Sequence, residues 1–117
     1  MADELRVTTQ ISFSKAGASV AKTVRTDVDV TGDLYESKVL NIGTSNEAVG
    51  KGDMSTVGFT LLKNLDSTNF ILAGDDGTNY PVKVLAGESA LFRLNGATLN
   101  LKADTAACDV EITMIED

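Results

Sequence analysis

The sequence has no histidine and no tryptophan, one cysteine, one proline, and only two tyrosines and four phenylalanines among its aromatic residues. Without histidine no Ser-His or Cys-His pair can activate a nucleophile, and the side chain that most readily moves protons near neutral pH is missing. A zinc site would lack its usual nitrogen ligand as well. One cysteine, Cys108, permits no disulfide within the chain and reads as a small buried apolar residue rather than a reactive thiol. No apolar run approaches the roughly 20 residues of a bilayer-crossing helix, and the opening MADELRVTTQ is charged and polar, unlike a signal peptide. The expectation is a protein made in a cytoplasm, with no membrane partner.

Positive charge is also scarce. Seventeen acidic residues stand against ten basic ones, a net charge of −7 that repels a phosphate backbone, so no nucleic-acid partner is expected. Beyond Lys102 the chain carries Asp104, Asp109, Glu111, Glu116 and Asp117 with no cation among them, which reads as a solvated acidic edge.

What the chain does have is alternation. In LRVTTQISF, residues 5–13, Leu5, Val7, Thr9, Ile11 and Phe13 fall on one face and Arg6, Thr8, Gln10 and Ser12 on the other, a period of two that resumes after a turn at 15–18 with Val20, Val24, Val28 and Val30. Lys22 is the exception on that apolar side and suggests an edge or a strand end, where a long side chain reaches water. Around LYESKVLNIG the phase shifts, as a bulge or bend would allow. Residues 43–58 contain four glycines and no sustained period, with room for one helical turn at 46–49. From Val57 onward short strand-like runs follow one another, separated by turn chemistry of which DDG at 75–77 and NG at 95–96 are the clearest. Eight or nine short strands, no helix of normal length and a length suited to one core predict an all-β fold. The expected form is a single antiparallel β-sandwich over residues 1–117, jelly-roll-like in topology. The expected core comprises Val7, Ile11, Phe13, Val24 and Val28 from the first part of the chain. Phe59, Leu61, Phe92, Leu99, Leu101, Val110 and Ile112 complete it.

Candidate chemistry is thin. GTSNEAVGKGD lacks the Gly-Lys-Ser/Thr ending of a phosphate loop. Asp75 and Asp76 are adjacent, not alternate as in a calcium loop, so they read as a charged hairpin tip. The knot Asn64–Asn69, between the apolar runs LL and FIL, reads as a corner in which short polar side chains bond back to the backbone and Leu65 pins the turn. No residue is assigned to a catalytic, cofactor-binding or metal role, no cofactor is expected, and the chain does not read as an enzyme.

The order NLDSTN, then LAGESALFRL with its arginine, then the alanine-rich turn and acidic last strand of LKADTAACDVEITMIED, resembles small all-β virion structural proteins of tailed bacteriophages. The likeness covers about residues 41–117. It implies a non-enzymatic scaffold role as a capsid decoration or minor head protein located in the virion. The implied partners are the major capsid protein or other virion proteins, with further copies of the chain, a trimer by analogy. A head–tail joining or tail component is the neighbouring alternative, and a carbohydrate- or peptide-binding β-sandwich module the alternative from another class.

Overall fold

A computed structural model describes residues 4–95 and 98–117. The chain divides into two compact units, Met1–Thr31 and Gly32–Asp117, and among the described residues all regular structure is strand.

The first unit is a two-stranded antiparallel ribbon of β1 (Leu5–Lys15) and β2 (Ala18–Val28). Its turn places both central residues at positive φ, Ala16 at 51° and Gly17 at 86°, the two-residue geometry whose twist matches that of the flanking strands. Directly opposed residues share a face. Leu5 faces Val28, Ile11 faces Lys22 and Phe13 faces Val20 on one side, while Arg6 faces Asp27 and Thr8 faces Arg25 on the other. Both pleat faces are thus read correctly from the alternation, and the ribbon has one apolar and one polar side.

The second unit contains β3 (Tyr35–Ile42), β4 (Glu47–Ala48), β5 (Val57–Asn64), β6 (Ile71–Gly74), β7 (Val82–Val84), β8 (Ser89–Arg93), β9 (Asn100–Ala103) and β10 (Cys108–Glu116). They form two four-stranded sheets, ordered β3-β10-β5-β8 and β4-β9-β6-β7. The pairings β3·β10, β4·β9, β5·β8 and β6·β7 are those of one long hairpin folded back at the turn between β6 and β7, then rolled so that β10 also meets β5 and β9 meets β6. That strand order is a jelly roll. The two sheets enclose one core, in which Ile42, Leu62, Ile112 and Met114 of the first meet Ile71, Val84 and Leu101 of the second.

Several expectations are corrected here. The strands form three sheets rather than a single sandwich, because β1 and β2 pair only with each other. Ile11, Phe13 and Val24 are therefore exposed, and Val7 and Val28 are only half-buried. In β5 the phase is opposite to the one expected: Leu62 is fully buried while Leu61 is 44% exposed and Phe59 is half-buried. Burying Phe59 and Leu61 would also have turned Lys63 inward, whereas the observed phase buries Thr60 and Asn64, whose polar atoms find partners. Leu99, Leu101, Val110 and Ile112 are buried as read, and Phe92 packs partly against the core. β3 runs in continuous register against β10 with no bulge, and the irregularity lies instead between Met114 and Glu116. Residues 46–49 hold no helical turn but the short strand β4, and Val49 and Met54 of the same glycine-rich stretch are buried in the core. The strands flanking NG, β8 and β9, belong to different sheets, and Gly96 itself lies outside the described residues.

Candidate interaction surface

The polar residues that first suggest chemistry are engaged in holding the chain's corners. Asn64 ends β5 fully buried; its amide donates to the carbonyls of Asn69 (3.0 Å) and Val84 (3.2 Å), and its Oδ1 accepts from the Asp66 amide (2.9 Å). Asp66 in turn accepts from the amides of Thr68 (2.9 Å) and Asn69 (2.6 Å), bonds that hold its carboxyl below the usual range. The knot is a corner. Its pin, however, is Asn64 rather than Leu65, which is 47% exposed. The LAGE turn lies directly against it: the Gly87 amide donates to the Asn64 carbonyl (3.1 Å), Lys63 Nζ donates to the Gly87 carbonyl (2.6 Å), and Glu88 accepts from the Leu85 amide (3.1 Å). The NLDSTN corner and the LAGE turn thus meet in space and tie β5 to the turn before β8.

Asp76 repeats the device at the β6–β7 tip, accepting from the amides of Thr78 and Asn79, both at 2.7 Å. These amides likewise hold its carboxyl low. Gly74 is required beside this tip, because a Cβ there would overlap the Asn79 carbonyl. Among the described residues no three His, Cys, Asp or Glu side chains are grouped to hold a metal ion. Cys108 is buried, and burial together with Asp66, Asp104 and Asp109 pushes its thiol up.

The acidic end is not a uniformly solvated edge. Asp117 pairs with Arg93 (3.1 Å), whose guanidinium also lies over the Phe59 ring. Glu116 is buried and binds four donors: the amides of Ser55 (2.8 Å), Asp33 (3.1 Å) and Leu34 (3.3 Å), and the Ser55 hydroxyl (3.2 Å). The Ser55 amide is the chief cause of its lowered pKa. A carboxylate depressed on folding contributes stability that is complete above its unfolded value, here 4.5, and is lost as pH falls through the folded value. Acid titration of unfolding should therefore show stability falling below about pH 4.5, and Glu116→Gln should flatten that dependence. An unchanged acid profile in Glu116→Gln would refute the assignment.

Among the described residues, large apolar side chains are exposed on two surfaces. One is the ribbon side bearing Ile11, Phe13, Val20 and Val24, each more than two-fifths exposed. The other is an apolar patch on the outer face of the β3-β10-β5-β8 sheet, where Tyr35 lies beside Ile115 and Leu91 flanks Leu61, among polar pairs such as Ser37 with Thr113 and Asn41 with Asp109. Tyr35, Val39 and Leu61 are 68%, 54% and 44% exposed there. The sequence assigned Ile11, Phe13, Val24 and Leu61 to a core; their alternation signalled burial without saying against what. Comparison with family models, curated proteins and solved structures found no match to this chain.

Proposed function

We propose that the protein is a non-enzymatic structural component of a tailed-bacteriophage virion, a capsid decoration or minor head protein that binds the assembled shell. One observation supports the reading above others: a small jelly roll and a separate ribbon each present an apolar face to solvent. Contiguous exposed apolar surface is characteristic of proteins that are covered by other proteins. The polar knots favour the same reading, since Asn64, Asp66 and Asp76 use their hydrogen-bonding capacity on the protein's own backbone. The net charge of −7 suits the outside of a DNA-filled shell better than its lumen.

Co-sedimentation tests the proposal. The purified protein should pellet with heads assembled from the major capsid protein of the phage that encodes it and saturate at a fixed ratio to capsid subunits. Protein left wholly in the supernatant would overturn the reading, and binding to isolated tails alone would move it to the tail.

A further inference from the structure

The ribbon and the rest of the chain differ sharply in charge. Residues 5–28 carry Arg6, Lys15, Lys22 and Arg25 against Asp27 alone, a net charge of +3. Residues 29–117 carry six basic and fourteen acidic side chains, a net charge of −8, and Asp3 and Glu4 account for the remainder. Within the ribbon Arg6 and Arg25 already pair with Asp27, at 3.2 and 3.0 Å on its polar side. Lys22 stands on the opposite, apolar side, directly across from Ile11 and between Val20 and Val24. It makes no ion pair among the described residues.

The outer face of the β3-β10-β5-β8 sheet has the complementary arrangement. Glu111 lies in a cross-strand row between Val39 and Lys63, one row from Leu61. Lys63 directs its ammonium to the Gly87 carbonyl, and Glu111 is exposed without an ion pair among the described residues. The ribbon side thus carries Lys15 and Lys22 and the sheet face Asp109 and Glu111, none of them in an ion pair among the described residues, so the charges that the two faces offer are opposite in sign.

We infer that the apolar side of the ribbon packs on the outer face of the β3-β10-β5-β8 sheet of a second copy of this chain, with Lys22 paired to Glu111 across the contact. A two-stranded ribbon alone is marginally stable in water and needs a further surface to cover its apolar side. Two strands of 11 residues present a face about 37 Å long and 10 Å wide. One such contact buries roughly 750 Å² from both surfaces, short of the approximately 1,200 Å² at the lower end of stable interfaces. Two contacts, one given and one received, bring the total to about 1,500 Å². Because the two faces are different surfaces, each copy of a pair can give a ribbon and receive one, and the assembly closes as a reciprocal dimer, in which one pair of chains shares both contacts. The inference does not depend on the virion reading, because self-association is measured without heads.

The test uses the full chain. Sedimentation velocity at micromolar concentration should show a discrete dimer of 12.3 kDa subunits. Lys22→Glu and Glu111→Lys, each placing like charges together, should each weaken self-association at least about tenfold, and the double variant should restore it. A zero-length carboxylate–amine cross-linker applied to a mixture of isotopically light and heavy wild-type protein should join Lys22 of one copy to Glu111 of another. The cross-link keeps the test decisive if a variant misfolds. A monomeric wild type, single variants that assemble like the wild type, a double variant that stays dissociated, or a Lys22–Glu111 cross-link confined to one chain would each overturn the inference.

Discussion

Leu62→Ala should lower the free energy of unfolding by about 2–5 kcal/mol, whereas Leu61→Ala, one residue away, should cost less than about 1 kcal/mol. Leu62 is fully enclosed between the two sheets, so removing its side chain leaves both a transfer loss and a cavity that the close-packed surroundings fill only in part. Leu61 points outward with 44% of its surface in water, and truncation there removes little buried area and opens no cavity. Chemical denaturation followed by far-ultraviolet circular dichroism, at a concentration low enough to keep the protein dissociated, measures both. Equal effects, or a larger one at Leu61, would reverse the phase of β5 and with it the side of the sheet that faces the core.

Asn64→Ala should be nearly as damaging, at about 2–4 kcal/mol, although it removes no large apolar group. The substitution leaves the Val84 and Asn69 carbonyls and the Asp66 amide without their side-chain partners at a fully buried position. Each buried polar group left unpaired costs about 1–3 kcal/mol. Asn64→Asp distinguishes shape from hydrogen bonding: it preserves the volume but turns a second oxygen toward the two carbonyls that the amide now serves, so it should be no milder than alanine. If Asn64→Asp retained wild-type stability, the amide would not be the group that holds the corner.

The all-β class, the antiparallel strands and most strand positions follow from the sequence because they depend on local chemistry. Alternation in LRVTTQISF and CDVEITMI fixes which residues share a face, since successive side chains in a strand point to opposite sides whatever lies beyond them. Short polar residues at 64–69 and 75–79 bond to amides two or three positions away, so corners at these places are legible without knowing what they join. The tertiary structure decided what local pattern cannot specify. In VGFTLLKN apolar residues occupy both phases, and only the partners available to Thr60 and Asn64 select the phase that buries Leu62. Glu116 appears in sequence as one more acidic residue near a solvated end, but four donors from residues 33, 34 and 55 enclose it. Ile11, Phe13 and Val24 have the spacing of core residues, yet their strands pair only with each other, and whether an apolar face is covered depends on which sheets meet it rather than on its own periodicity.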